Sequence, residues 1–131
     1  MRYMLDTNSC IYLMKAHLPE VLARLVQLDH GDFVMSITTY AELRVGLEGL
    51  GSTRAQNERA LHLLTSDIPV LPFDEAAAER YGVQRAAVRD RRRDAFDRLI
   101  AAHAASLGLT LVTNNEADFR DYPGLVVENW V

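Results

Sequence analysis

The chain has 131 residues, of which 49% are hydrophobic, and a formal net charge of -4. This length fits one domain, residues 1–131, with its own hydrophobic core, and is short for two. No apolar run is long enough for a secretory leader or a bilayer-spanning helix, so we expect a cytoplasmic protein without membrane contact. The single cysteine, Cys10, excludes an internal disulfide.

Short apolar runs alternate with helical patterns along the chain. The runs that predict strands are Tyr3 to Leu5, Phe33 to Ile37, Val70 to Leu71, Thr110 to Thr113 and Leu125 to Val127. Apolar residues between them recur at helical spacing, as in Val21, Leu22, Leu25 and Leu28 and again in Leu43, Leu47 and Leu50. This alternation predicts an α/β domain, a three-layer sandwich in which helices flank a mainly parallel central sheet.

Polar and glycine residues mark three helix boundaries. Thr39 followed by Glu42 predicts a capping box at the start of a helix. Asp74 is a predicted N-cap, and Gly108 stands where a C′ glycine would end the helix that precedes Thr110.

Four acidic residues lie at the predicted element boundaries: Asp6, Glu42, Asp97 and Asp118. Because 36, 55 and 21 residues separate them, only the fold could gather them into one cluster. Asp6 directly follows the first predicted strand and Asp118 follows the fourth, at the edge where open parallel sheets bind ligands. Carboxylates suit Mg²⁺ or Mn²⁺, which complete their coordination with water and substrate phosphate. The pattern therefore indicates phosphodiester chemistry.

Each acid also has a purely structural interpretation. Asp6 could cap the next helix, and Glu42 fits the capping box equally well. Asp97, near the start of a helix, would gain about 0.3–1 kcal/mol from the helix dipole. Asp118 lies in an acidic turn that solvent alone would stabilise. We favour a functional role for Asp6 and Asp97, and Asp118 has the weakest case.

The chain contains one basic segment, although its net charge is negative. Seven of the 14 basic residues are arginines between Arg80 and Arg98. The candidates for contact with nucleic acid phosphates are Arg91, Arg92, Arg93 and Arg98. The alternative is an exposed helix face on which the arginines pair with Asp90 and Asp94.

The four histidines, His17, His30, His62 and His103, lack the spacing of a zinc site. His103 lies among apolar residues, and we expect it to be a packed, hydrogen-bonded core residue.

Four segments, in order, carry a family resemblance: MLDTNSCIYLM, SITTYAELRVGLE, DRLIAAHAASLGLTLVTNN and PGLVVENWV. Over nearly its whole length the chain resembles the PIN-domain ribonucleases of the VapC toxin type. The resemblance implies a PIN-like fold and an Mg²⁺- or Mn²⁺-dependent endoribonuclease that cuts RNA and inhibits translation and growth. It implies Asp6, Glu42 and Asp97 as the principal metal ligands and catalytic acids, with Asp118 or Asn115 as the fourth.

The proposed ligands predict supporting residues, and the resemblance implies partners. Thr7, Asn8, Thr113 and Asn115 would hydrogen-bond to the acids and fix their geometry. A co-expressed antitoxin would hold the enzyme inactive in a complex built on a homodimer, and operator DNA would be contacted only through the antitoxin. The RNA could be a transfer, ribosomal or messenger RNA. Leucines of the SITTYAELRVGLE segment and beyond could form a dimer face or an antitoxin groove, although most are expected in the core.

The segment before Asp97 departs from the family pattern. Many relatives have a glycine-rich approach to the third acid, whereas this chain has Arg91, Arg92 and Arg93 followed by DAF. The substitution bears on substrate preference more than on metal binding, because the DRLIAAHA segment is retained. An alternative function is a catalytically silent PIN-like module that binds RNA or protein.

Overall fold

The computed structural model describes residues 1–15, 23–24, 27, 30–89 and 95–130. In this part of the chain, strands β1 to β5 are Tyr3–Leu5, Phe33–Ser36, Val70–Leu71, Thr110–Val112 and Val126–Glu128. Helices α1 to α5 are Thr7–Lys15, Ile37–Glu48, Arg54–Asp67, Glu75–Ala87 and Ala95–Ser106. None of these helices is long and apolar enough to cross a bilayer.

The five strands form one sheet in the order β3-β2-β1-β4-β5, and every pairing is parallel. The α/β prediction is confirmed. Two predicted strands run one residue too far, because Ser36 ends β2 by capping the next helix and β4 ends at Val112. The last strand lies one residue later than predicted. The helical pattern of Val21, Leu22, Leu25 and Leu28 lies outside the described residues.

Alternate strand residues point to opposite faces of the sheet, and each face has its own core. One core joins Tyr3, Leu5, Phe33, Met35 and Val112 to buried residues of α1, α2 and α3. The other core contains the intervening residues Met4, Val34 and Leu111, packed against Ile100, Ala101 and Ala104 of α5. Because both faces are covered, every residue of β1 and β2 is buried.

The strand order reverses between β1 and β4. The chain passes from β1 outward to β2 and β3, and then returns to the other side of β1 for β4 and β5. Open parallel sheets bind ligands beyond the carboxyl ends of their strands at such a switch point. The topology therefore predicts a site at the residues that follow Leu5 and Val112.

Two of the three predicted helix boundaries are confirmed. Asp74 caps α4 by accepting a 3.0 Å hydrogen bond from the backbone nitrogen of Ala77. Gly108 has a φ of +68°, and the amides of Gly108 and Leu109 bond back to the carbonyls of Ala105 and Ala104, as in a Schellman motif.

The predicted capping box is wrong. The N-cap of α2 is Ser36, whose hydroxyl accepts a 3.1 Å hydrogen bond from the Thr38 backbone nitrogen. Thr39 is the third residue of the helix and is fully buried. Its separation from Glu42 is the same as that of a capping pair, but the helix begins three residues earlier than the box requires.

Candidate active site at the carboxyl edge of the sheet

Three polar residues form a row at the carboxyl edge of the central strands. The register pairs Tyr3 with Phe33 and Leu5 with Val112. Continued past the strand ends, the same register places Asp6 level with Ser36 on one side and with Thr113 on the other. The backbone nitrogen of Asp6 donates a 3.1 Å bond to the Val112 carbonyl, which continues the ladder past the end of β1. The row lies at the switch point between β1 and β4.

Asp6 is the buried acid of this row, with 4% of its surface exposed. Its Oδ1 accepts a 2.8 Å hydrogen bond from the Ser9 backbone nitrogen, which makes Asp6 the N-cap of α1. Burial raises the pKa of Asp6 above its ordinary value, and hydrogen bonds from Thr113 and Ser9 oppose that rise. The capping role predicted as the alternative for Asp6 is therefore present, on a carboxylate held in a desolvated position.

Ser9 is a site residue that the sequence patterns above do not identify. Besides its backbone bond to Asp6, its hydroxyl contacts Asp6 and lies 3.2 Å from the Val112 carbonyl. The available signal is its position three residues after an N-cap aspartate, where the free amide of a helix start is bonded.

Glu42 reaches the same edge from α2. Its Oε1 accepts a 2.5 Å hydrogen bond from the hydroxyl of Thr7, the residue next to Asp6. The Thr7 hydroxyl is also 3.5 Å from that of Thr39, so the buried Thr39 supports the same contact from within α2. Thr7 thus holds Glu42 beside Asp6.

Asp118 and Asn115 lie in the turn that follows β4 and are hydrogen-bonded to each other through Asn115 Nδ2 and Asp118 Oδ2. The Asn115 backbone nitrogen donates to Thr113 Oγ1 at 3.0 Å, and Thr113 in turn bonds to Asp6. One chain of polar contacts therefore connects Asp6 to Asp118. Asn8, in contrast, is exposed, and no hydrogen bond from its side chain to the four acids occurs in the described structure.

Asp97 occupies the first turn of α5 and is partly buried. Because α5 leads into the parallel strand β4, its C-terminal end lies near the amino edge of the sheet and its first turn near the carboxyl edge. Asp6 follows Met4 by two residues, so the pleat directs it to the face on which α5 packs. The fold consequently brings Asp97 to the same edge and the same face as Asp6.

Comparison with known proteins agrees with this geometry. The PIN domain family model matches residues 3–125. The chain belongs to the PIN-domain family. A relative from Shigella flexneri named tRNA(fMet)-specific endonuclease VapC is 36% identical over 99% of this chain and 98% of its own length. Ribonuclease VapC1 of Haemophilus influenzae strain R2866 is 38% identical with the same coverage of the two chains.

Solved structures place this PIN domain in the same group. The VapBC2 complex of Rickettsia felis, bound to a fragment of promoter DNA, contains a chain that matches all of this one with a TM-score of 0.91 and 31% identity. This PIN domain is therefore a member of the VapC ribonucleases, and the family resemblance read from the four sequence segments is confirmed.

The carboxylates of the described residues do not form a ready-made metal site. No three or more His, Cys, Asp or Glu side chains within the described ranges are arranged so that they could hold a metal ion. Glu42 is instead bonded to Thr7, and Asp118 to Asn115. The donors at the edge are nonetheless carboxylate and hydroxyl oxygens, the type that a hard divalent cation takes.

The basic residues of this PIN domain differ from expectation at one position. Arg98 is buried, with 7% of its surface exposed, because it lies on the face of α5 that packs against the fold. A buried guanidinium does not reach a nucleic acid backbone, so the prediction of an RNA contact for Arg98 is contradicted. Arg91, Arg92 and Arg93 lie outside the described residues, and their role remains a prediction.

His103 is buried in α5, as predicted, with 1% of its surface exposed. Its Nδ1 lies 2.8 Å from Ser36 Oγ, and the Phe73 ring packs edge-on against the imidazole at a centroid distance of 5.5 Å. Burial lowers the pKa of His103, while the Asp74 carboxylate and a bond to the Pro72 carbonyl act in the opposite direction.

An apolar groove opens beside Glu42 between α1 and α2. Its walls are Ile11 and Met14 of α1, Leu43 and Leu47 of α2, and Leu50 beyond it. Leu43, Leu47 and Leu61 are core residues, which confirms the expectation for most of the leucines, whereas Leu50 is 38% exposed. The groove therefore presents apolar surface that ends at an acid of the candidate site.

Proposed function

We propose that this PIN domain is a metal-dependent endoribonuclease toxin that hydrolyses RNA phosphodiester bonds, inhibiting translation and growth until a cognate antitoxin binds. The observation that carries the proposal is the buried Asp6 carboxylate at the switch point. Asp6 directly precedes Thr7, which holds Glu42, and it is connected to Asp118 through hydrogen bonds of Thr113 and Asn115. The names of full-length relatives, which are ribonucleases and endonucleases, support it.

Asp6, Glu42, Asp97 and Asp118 are the residues that would hold Mg²⁺ or Mn²⁺. The raised pKa of Asp6 supports this assignment, because a nearby cation would offset the desolvation that disfavours the ionised carboxylate. When bound, such an ion would acidify a water molecule and offset negative charge on the scissile phosphate. Glu42 would bind the ion while keeping its hydrogen bond from Thr7, and Asp118 while keeping its bond from Asn115.

The neighbouring hydroxyl and amide groups have a positioning role in this proposal. Ser9 and Thr113 hold the carboxylate of Asp6 in one orientation through the bonds described above. Thr7 keeps Glu42 at the edge, and Asn115 does the same for Asp118. Groups that orient ligands in this way commonly change metal affinity by about 10- to 100-fold when removed.

The proposed substrate is a structured cytoplasmic RNA, with transfer RNA as the first class to test. Support comes from the Shigella flexneri relative, whose name specifies a transfer RNA. Ribosomal and messenger RNA are the alternatives. Arg91, Arg92 and Arg93 precede Asp97 in sequence and would supply phosphate contacts at this edge.

The proposed regulator is an antitoxin chain that lays an apolar segment into the groove formed by Ile11, Met14, Leu43, Leu47 and Leu50. Solved structures of similar chains are VapBC complexes, and two of them contain DNA. For this protein we propose a homodimer joined to antitoxin, with operator DNA contacted by the antitoxin alone.

The test is RNA cleavage by purified protein, followed by gel analysis and end mapping. Transfer RNA should be cut with Mn²⁺ or Mg²⁺ to leave a 5′ phosphate, and excess chelator should stop the reaction. Asp97→Asn should abolish cutting with cooperative unfolding retained, whereas Asp67→Asn, at the far end of α3 before β3, should leave it unchanged. Cleavage that persists in chelator or in Asp97→Asn would refute the proposal. RNA binding without cleavage would identify the silent binding module instead.

A further inference from the structure

A buried hydrogen bond connects the two helices that carry Glu42 and Asp97. Ser36, which is 0% exposed, ends β2, and His103, which is 1% exposed, lies in α5. Ser36 Oγ and His103 Nδ1 are 2.8 Å apart. The two residues are 67 positions apart in sequence, and the contact joins the end of β2 to the helix that precedes β4.

The Ser36 hydroxyl has two tasks at once. It accepts the 3.1 Å bond from Thr38 that starts α2, and it pairs with the imidazole of α5. A hydroxyl has one proton and two lone pairs, so it can accept from Thr38 while donating to His103. One oxygen atom therefore fixes both the first turn of α2 and the position of α5 against it.

The two acids lie at equal distances along the chain from this contact. Glu42 follows Ser36 by six residues in α2, and Asp97 precedes His103 by six residues in α5. At a rise of about 1.5 Å per residue, each acid is roughly 9 Å along its helix axis from the bond. Ser36 is also level with Asp6 in the strand register. A shift of either helix at this bond would move one acid relative to the other two.

The imidazole itself is held rigidly. The Phe73 ring packs against it at an interplanar angle of 76°, and the carbonyl of Pro72 bonds to it. A carbonyl can only accept a hydrogen bond, so the imidazole nitrogen that faces Pro72 must carry a proton. Because Nδ1 faces Ser36, Nε2 is assigned as this donor, and Nδ1 then accepts from the Ser36 hydroxyl. A neutral His103 of this tautomer satisfies the Ser36 hydroxyl in its double role.

We propose that Ser36 and His103 are positioning residues of the active site, whose mutual hydrogen bond sets the placement of Glu42 and Asp97 relative to Asp6. The inference rests on the proposed ribonuclease function and adds two residues that contact neither metal nor RNA. It predicts effects on metal affinity and kcat rather than on RNA binding, because the surface that meets RNA is unchanged.

The test uses the full chain and five variants. RNA cleavage is measured by gel analysis, and Mn²⁺ binding is measured by electron paramagnetic resonance. Ser36→Ala and His103→Leu should each lower kcat about 10- to 100-fold and weaken Mn²⁺ binding about tenfold, with KM for RNA nearly unchanged. His103→Asn, which offers an amide near the Nδ1 position, should recover most of both losses. Ile68→Val, a buried substitution at the end of α3, is the control for a general loss of stability.

The double variant Ser36→Ala/His103→Leu decides whether the two residues act through their bond. The kcat of the double variant should lie within about twofold of that of the less active single variant, because the bond can be lost only once. A loss of kcat in the double variant equal to the product of the two single losses would overturn this inference alone. Single variants with wild-type kcat and Mn²⁺ affinity and only a lower Tm would do the same. A wild-type protein that neither binds Mn²⁺ nor cleaves RNA would overturn the proposed function and this inference with it.

Discussion

The hydroxyl of Thr7 donates a 2.5 Å hydrogen bond to Oε1 of Glu42, joining the first residue of α1 to the second turn of α2. The two residues are 35 positions apart, and Thr7 follows Asp6 directly. One threonine therefore couples the capping acid of α1 to the acid of α2. The bond gives the partly buried Glu42 carboxylate a hydrogen-bond donor at the carboxyl edge.

Removal of the Thr7 hydroxyl tests this coupling. Thr7→Val keeps the side-chain shape but removes the hydroxyl that donates to Glu42 Oε1, and we expect RNA cleavage at limiting Mn²⁺ to fall about tenfold. Unfolding free energy should change by no more than about 1 kcal/mol, since one hydrogen bond at a partly exposed position is lost. Thr7→Ser, which retains the hydroxyl, is the control and should cleave RNA at nearly the wild-type rate. Equal activity of Thr7→Val and Thr7→Ser would contradict the role given to this bond.

Asp6→Asn separates the structural role of Asp6 from its functional one. Asparagine caps helices as well as aspartate, and the change removes a charge that burial disfavours, so stability in chelator should be equal or higher. RNA cleavage should fall at least about 100-fold, because the central carboxylate is gone. Thermal unfolding with and without Mn²⁺ supplies the second readout: a saturating ion should raise the Tm of the wild type and leave that of Asp6→Asn unchanged. A variant that Mn²⁺ stabilises as strongly as the wild type would show that the ion binds elsewhere.

The strands and the acids at their ends could be predicted because both depend on local sequence. Tyr3 to Leu5 is an apolar run that burial on both faces requires, and Asp6 is the first polar residue after it. The placement of Asp97 also follows from topology, since a helix before a parallel strand must start at the carboxyl edge. Local sequence patterns are therefore sufficient to predict a residue's position where the pattern fits only one structure.

The errors arose where one pattern fits two structures. Thr39 and Glu42 have the spacing of a capping box, but Ser36 was available three residues earlier and has its hydroxyl already oriented by His103. Arg98 belongs to an arginine-rich segment, yet the packing face of α5 includes it. The contacts of Ser36 and Ser9 join residues 67 and 103 positions away, which no local pattern reveals.

The stability of the protein should depend on pH through His103. Its pKa is lowered in the folded state by burial, so the unfolded chain binds a proton more readily below the ordinary value of 6.5. The stability that His103 provides is present in full above pH 6.5 and is lost as the pH falls from there through the lower folded-state pKa. The wild type should lose at most about 1.4 kcal/mol per pH unit in this window.

Urea unfolding of the wild type and His103→Asn between pH 7.5 and 5 measures this effect, because the difference between them cancels the other histidines. The wild type should lose more stability than the variant on acidification. Parallel curves for the two proteins would show that His103 titrates alike in the folded and unfolded states.

The glycine that ends α5 should be intolerant of a side chain. Gly108 has a φ of +68°, and no atom lies within 4 Å of an added Cβ, so any penalty comes from the backbone alone. Gly108→Ala should lower the unfolding free energy by about 1 kcal/mol in urea denaturation. Gly82, in the interior of α4 with equally open space, is the matched control, and Gly82→Ala should raise stability by about 0.5–1 kcal/mol. Equal effects of the two substitutions would contradict the left-handed helix end.

The most direct test of a shared metal site is an anomalous difference map from a crystal of the protein soaked in Mn²⁺. We predict a peak bonded to Asp6 and to at least one of Glu42, Asp97 and Asp118, with the Thr7 contact to Glu42 and the Asn115 contact to Asp118 retained. A map without a peak at Asp6, from protein that cleaves RNA in the same Mn²⁺ solution, would contradict the account.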